Sequence, residues 1–353
     1  DPEKKDKYME GHIYLMKPES GSNNPVKTKV PVAPGTEIVG GRPLCVSYYG
    51  NKVAVSMYHA VVDGGGFNMI FCSFLYAYLA LYTGHEDENP VVEVTEGRDV
   101  KEYYQGATMD YIFSQDYTPT PIFTLPAYCR GFHDRDMEND NGNVYSGNIN
   151  VSVKDFISFC KANGANPSAA MCAVLAKAAY TVNPEEKNDI VFDLTVSARK
   201  ALGLEKSVAN VISMAVAYAT RNEIETKSLG EVSRKIRSDV DSQRSRDYIL
   251  SFRRMMCTYN HSPLYKSRTV TYIGNLNIGD NSSHIIDFSL ETFSVYNLFM
   301  MQVNDNFALT LQYGKATEKY LNAIIKVFSE LGIKAEITCP AHIVEKDSMT
   351  AVL

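Results

Sequence analysis

From Asn51 to Tyr58 small or polar residues alternate with Val53, Val55 and Met57, the two-residue period of a half-buried strand. From Phe67 to Leu81 the chain is almost wholly apolar or aromatic, long enough for a buried helix that Gly84 ends. Upstream, the pattern predicts a short strand at His12 to Met16 and a hairpin from Pro43 to Tyr58 turning at Gly50-Asn51. Gln115 to Asn143 has no packable period, carries Pro119, Pro121 and Pro126, and reads as a connector. Beyond it come helices at Val153 to Asn163 and Pro167 to Val182, strands at Ile190 to Ser197 and Val211 to Thr220, and one long charged helix near Ser228 to Arg246. Strands follow near Thr269 to Gly274, Ile285 to Leu290, Ser294 to Val303 and Phe307 to Tyr313, with Asn304-Asp305-Asn306 as a hairpin signal, and a helix at Thr317 to Leu331 closes the pattern. Strands and helices interleave without regular βαβ repetition, which predicts an α+β fold with mixed sheets. The expected division is 1–115, a connector at 116–143, and 144–353.

The predicted strand runs into its helix through Tyr58-His59-Ala60-Val61-Val62-Asp63-Gly64-Gly65-Gly66. Imidazole has the unperturbed pKa nearest neutrality, so a fixed His59 can take a proton from a hydroxyl or amine and return it. Asp63, four residues on, can accept bonds from nearby amides or pair with a distant cation. Gly64 to Gly66 are expected to bend the chain into the helix and leave the imidazole open to a substrate. On these residues alone, a core histidine before an Asp-Gly turn fits as well.

Composition narrows the chemistry. The charge of −6 is spread without a basic block, which argues against nucleic acid as the partner. Seven cysteines, odd in number and without a C-x-x-C pair, fit free thiols in a reducing cytoplasm. No apolar run is read as reaching membrane-spanning length, and no basic-then-apolar leader opens the chain, so a cytoplasmic protein is expected; a start at Asp1 leaves a removed leader or a truncation open. No G-x-S-x-G elbow, P-loop or strand-linked G-x-G-x-x-G occurs, which turns the reading away from nucleotide cofactors. His12, His85, His133, His261, His284 and His342 are isolated, and His59 with Asp63 supplies two ligands at most, so no metal is expected. Met255-Met256 and Met300-Met301 read as core filler, with some as lining for a hydrophobic ligand.

The His59-x-x-x-Asp63-Gly64 segment resembles the His-His-x-x-x-Asp-Gly signature of the chloramphenicol acetyltransferase-like superfamily, which includes peptide-synthetase condensation domains, plant BAHD acyltransferases and bacterial alcohol acetyltransferase-like proteins. Tyr58 stands where the first histidine would be. The resemblance runs from about Val30 to Ile333, with an opening segment short for that family. It implies two acetyltransferase-like halves with a tunnel between them, and an acyltransferase with His59 as general base. An acyl group would pass from a thioester of coenzyme A, or of a carrier protein's phosphopantetheine, to an alcohol or amine, without an acyl-enzyme and without a permanently bound cofactor. Phe192 to Lys200 resembles the strand whose arginine pairs with the motif aspartate, so Arg199 is the expected partner of Asp63. Asn210 to Met214 resembles an Asn-containing segment given a structural role. Thr271 to Asn275 resembles a strand bordering the tunnel. Thr271, Asn275 and Ser213 are therefore the candidate oxyanion donors, the first two ranked above the third. The alternative is a non-catalytic relative that binds a metabolite or carrier protein in the same cleft.

Overall fold

The computed structural model describes residues 26–27, 44–49, 51–59, 61–85, 109–125, 143–258, 267–292 and 296–344. The strand expected at His12 to Met16 and the connector beyond residue 125 lie outside them. In chain order the elements are β1 (Val26–Lys27), β2 (Leu44–Tyr49), β3 (Lys52–Met57), α1 (Gly64–Thr83), α2 (Met109–Ser114), β4 (Val144–Ser152), α3 (Val153–Ala162), α4 (Pro167–Val182), β5 (Ile190–Ser197), α5 (Arg199–Leu202), β6 (Ile212–Ala219), α6 (Arg221–Thr226), α7 (Leu229–Asp241), α8 (Arg246–Thr258), β7 (Arg268–Leu276), β8 (Asn297–Val303), β9 (Asn306–Gln312), α9 (Thr317–Glu330) and β10 (Ala335–Val344). The fold is α+β. A three-stranded sheet runs β1-β2-β3, and a seven-stranded sheet runs β10-β4-β9-β8-β7-β5-β6. The larger sheet is mixed: β7 pairs in parallel with both β5 and β8, and the other pairs are antiparallel.

Both faces of the larger sheet are covered, and β8 shows how. Its Leu298 and Met300 enter a core shared with α3, α4, α7 and α9, while Phe299, Met301 and Val303 enter a second core shared with α1. A strand buried on both sides reads as a continuous apolar run, which is how Leu298 to Met301 of β8 reads. α4 is apolar all round because it is the centre of the first core, with Asn166 capping its first turn through the Ala169 amide. α1 lays Phe71, Cys72, Leu75 and Leu79 on Ile273, Phe299 and Met301, and Val55 of β3 packs against the same cluster.

Several expectations are corrected. Ile285 to Leu290 forms no strand. The segment crosses the face of β9, where the Leu290 amide donates to Thr310 Oγ1 and the Thr292 amide to Gln312 Oε1, so its apolar residues pack without a ladder. The helix expected at 228–246 stops at Asp241, and a second helix that the pattern did not predict, α8, begins at Arg246. Between them Gln243, 1 % exposed, accepts from the Val216 amide and donates to the Val216 carbonyl. β6 is the end strand of its sheet, and the Gln243 amide supplies the partner that a further strand would have given. β4 and β10 escaped the pattern because β4 buries Ser146 and Asn148 among its apolar residues, and β10 contains Pro340. The described part of the proline-bearing connector is tied to α8, through Thr120 N to Ser251 Oγ and Phe123 N to the Tyr248 hydroxyl. At 20 residues, α1 is also long and apolar enough to span a membrane by length and composition, contrary to the shorter run read from the sequence; here one side of it lies on the sheet.

Candidate active site

β2 and β3 pair from Leu44 with Met57 to Tyr49 with Lys52, and the chain leaves β3 through Tyr58 and His59. Val61 N donates to Tyr58 O at 3.1 Å, Val62 bridges Ala209, and Asp63 is the N-cap of α1 with an extended ψ of 178°. The change of direction is made at Asp63. The glycines are already the first turn of the helix, which corrects their expected role as the bend. Close approach explains two of them: a Cβ on Gly66 would stand 1.9 Å from the Val208 carbonyl oxygen, and one on Gly65 would stand 2.8 Å from Arg199 Nη1. A Cβ on Gly64 would meet Thr271 and Ile273 at an ordinary 3.8 Å.

Asp63 is 1 % exposed, and four donors fill its two oxygens. Oδ1 accepts from Gly66 N at 2.8 Å and Arg199 Nη2 at 2.7 Å; Oδ2 accepts from Arg199 Nη1 at 3.0 Å and Val211 N at 2.9 Å. Arg199, 8 % exposed at the start of α5, spends its remaining donors on Ser207 O (Nε, 2.7 Å), Ala209 O (Nη2, 2.9 Å) and Ser197 Oγ (Nη1, 3.4 Å). A bidentate guanidinium-carboxylate pair with every remaining donor met is the arrangement in which two buried charges are tolerated. It joins residue 63 to residue 199 and strings residues 207–211 between them.

Asn210 sits in the middle of that string. Its Nδ2 donates to the main-chain oxygen of His59 at 3.1 Å and lies 3.4 Å from His59 Nδ1, while the His59 side chain is exposed. The amide controls the ring. The bond to the main-chain oxygen orients the amide nitrogen toward the ring, and a nitrogen donor at Nδ1 selects the tautomer with hydrogen on Nε2, leaving Nδ1 as the basic nitrogen. Asn210 was assigned only a structural part in the sequence; its reach to a histidine 151 positions away has no local signal. We predict that Asn210→Ala lowers kcat by about 3- to 10-fold, the value of one hydrogen bond, with KM little changed. Steady-state kinetics check it: an equal rise in KM with kcat intact would assign Asn210 to substrate binding instead.

The three candidate oxyanion donors separate by face. Thr271 lies between Val270, in the core of α4 and α9, and the second core, and its methyl is the group that a Gly64 Cβ would touch, so it faces the first turn of α1. Asn275 pairs with Gln302 and alternates with Leu276 and Val303, both of which face α1, so its side chain is directed to the other face; only its carbonyl meets α1, accepting from Asn68 Nδ2 at 3.4 Å. Ser213 shares the face of Ala215 and Ala217 in the first core, 1 % exposed, and its hydroxyl has no hydrogen-bond partner among the described residues. The order inferred from sequence is thereby changed: of the three, Thr271 is brought to the helix that Asp63 caps.

Among the described residues no three His, Cys, Asp or Glu side chains are grouped to hold a metal ion. Cys45, Cys72, Cys160 and Cys172 are free and buried, and burial pushes the Cys72 thiol up to about 11 and that of Cys160 up to about 12.

No protein-family model matches this sequence, and no curated protein matches it either. Solved structures do. TRI101 of F. graminearum, in complex with coenzyme A and T-2 mycotoxin, superposes with a TM-score of 0.55 at 16 % identity over 89 % of this chain and 73 % of its own. TRI101 of F. sporotrichioides, with coenzyme A and T-2, gives 0.54 at 12 % identity over 84 % and 70 %. Identity so low speaks to fold alone: this chain, with its mixed sheet and covering helices, shares the fold of the TRI101 structures.

Proposed function

We propose that this protein is an acyltransferase that moves an acyl group from a thioester to an alcohol or amine, with His59 as general base. The observation that carries the reading is the Asp63–Arg199 pair, which fixes residues 207–211 and through Asn210 the main chain and ring of His59. An accessible imidazole held this way by a buried ion pair is costly to build for packing alone, and it suits proton transfer.

The steps follow from the groups. The imidazole takes the proton of the acceptor as its oxygen or nitrogen attacks the thioester carbonyl, and a tetrahedral intermediate forms with negative charge on the former carbonyl oxygen. The Thr271 hydroxyl is the side chain proposed to donate to that oxygen. The carbon–sulfur bond then breaks, and the imidazolium returns its proton to the departing thiolate. Coenzyme A is the proposed donor, supported by the coenzyme A complexes of TRI101, whose fold this chain shares. A carrier protein's phosphopantetheine arm offers the same thioester chemistry. Donor and acceptor would meet between the two halves, 1–115 and 144–353, from opposite ends of a tunnel.

The test is thiol release from a panel of acyl-coenzyme A donors with pooled alcohols and amines. Acceptor-dependent release that His59→Ala abolishes supports the reading. Binding of thioester without release from any donor, carrier-bound thioesters included, would overturn it in favour of a non-catalytic relative. We further predict that Thr271→Val lowers kcat by about 10²- to 10³-fold with KM nearly unchanged, as loss of a transition-state donor requires. A change under threefold would move the oxyanion role to a backbone amide.

A further inference from the structure

The end strand β10 carries a second cluster with nucleophilic chemistry. Cys339 Sγ lies 3.5 Å from His342 Nδ1, and His342 Nε2 lies 3.0 Å from Glu291 Oε1. Residues three apart in a regular strand point to opposite faces. These two meet because β10 is bulged: Cys339 pairs with Asn148 and His342 with Ser146, so β10 takes one more residue than β4 over the interval. The irregularity is supported on both sides. Gly147 leaves room for it, since a Cβ there would stand 3.3 Å from Cys339 O and 2.6 Å from Leu321 Cδ1, and Glu318 Oε2 accepts from Ala341 N at 2.9 Å. Glu291 is held between the pinned amides of Leu290 and Thr292.

The imidazole sits between thiol and carboxylate with a different nitrogen toward each, which is a proton-relay geometry; a metal would require one nitrogen to share its side with both other ligands. Glu291 as a carboxylate can only accept, so it holds the hydrogen on Nε2; Nδ1 faces both the Cys339 thiol and, at 3.3 Å, the Pro340 carbonyl, which accepts from it in the imidazolium, while in the neutral ring the Nδ1 lone pair accepts from the thiol. The hydrogen bond to Glu291 raises the pKa of His342, with the Pro340 carbonyl adding to it. Burial pushes the Cys339 thiol up, and Glu291 and Asp287 add to that while Lys52 of β3 opposes it, so little thiolate stands ready and a base must take the proton during attack. Of the cysteines whose side chains are described, Cys339 alone is not buried, and the His342 and Glu291 side chains are 42 % and 23 % exposed.

We propose that Cys339, His342 and Glu291 form a second nucleophilic site that accepts acyl groups from thioesters by exchange. Cys339 sulfur bonds to the acyl carbon, the bond from that carbon to the donor sulfur breaks, and the thiol proton passes through His342 to the leaving thiolate. One thioester replaces another, so no oxidant or further reactant is needed, whereas a disulfide or sulfenic acid would need an oxidant. The choice of thioester as substrate rests on the acyltransferase reading above; the relay itself does not.

The experiment incubates the protein with S-acetyl-N-acetylcysteamine or acetyl-coenzyme A without acceptor and locates acetyl groups by peptide mass. Acetylation at Cys339 that is lost in Cys339→Ser, slowed about 10²-fold in His342→Gln and unchanged in His59→Ala supports the proposal. Iodoacetamide labelling of Cys339 against pH gives a second readout. The neutral imidazole is the base, so Glu291→Gln, which removes the group raising the His342 pKa, shifts the rise of the labelling rate to lower pH. Acetylation or labelling at the same rate in His342→Gln would overturn the relay, and so would acetylation that disappears in His59→Ala. Labelling that depends on His342 without any acetylation would overturn the thioester as substrate. Loading of Cys339 in a protein that transfers nothing to acceptors would instead count against the acyltransferase reading alone.

Discussion

His59→Ala is expected to reduce acyl-transfer turnover by about 10²- to 10⁴-fold, roughly 3–5 kcal/mol of transition-state stabilisation, while the thermal midpoint stays near that of the unchanged protein. The two halves of this expectation have separate physical causes. The imidazole is exposed and belongs to none of the buried clusters, so truncating it opens no cavity. The structural load at this corner is carried by Asp63 and Arg199, four and 140 residues on in sequence. A fall in kcat and kcat/KM together, without a stability change, is therefore the signature of a proton carrier. Turnover within threefold of the unchanged protein would remove His59 from the chemistry, whatever its position.

Removing one member of the Asp63–Arg199 pair should have the second large effect, a loss of about 3–5 kcal/mol in unfolding free energy by denaturant titration. Asp63→Ala leaves the Arg199 guanidinium in a site where Ser207 O and Ala209 O are uncharged acceptors, and it also strips the acceptor from the amides of Gly66 and Val211. Arg199→Met leaves a buried carboxylate that keeps those two amide donors, so it should be the milder change. Replacing both should cost less than the sum of the single losses, because neither charge is then left unpaired. Single losses under about 1 kcal/mol, the range of an exposed ion pair, would refute the assignment. Activity should fall with either change even where the protein stays folded, since residues 207–211 lose the anchor that holds Asn210 against His59.

These two effects fall on residues whose legibility in the sequence differed. His59 and Asp63 could be singled out from one local segment, because a strand period, a histidine, an aspartate and a helical run all lie within about thirty residues. Arg199 came through resemblance to a family; spacing alone left it beside Lys200 as an ordinary basic residue. Asn210 was visible as part of that resemblance, but its contact with His59 was not, since nothing local relates residues 59 and 210.

What the sequence determined by itself was the kind of most elements and several of their ends. α4 and β5 run as their apolar spacing implies, Gly84 ends α1 in the left-handed conformation, and Asn304, with φ of 50°, turns β8 into β9. Periodicity and turn chemistry settle such features because they depend on neighbours in the chain. The tertiary structure alone decided which strands pair, which face each side chain takes and where a helix is interrupted. Gln243 separates α7 from α8 by bonding β6, a bulge against β4 brings Cys339 to His342, and the alternation of β6 and β7 turns Ser213 and Asn275 away from the helix that Thr271 faces. Each of these rests on hydrogen bonds or burial between segments far apart in sequence, and such contacts leave no period in either partner for a local reading to find.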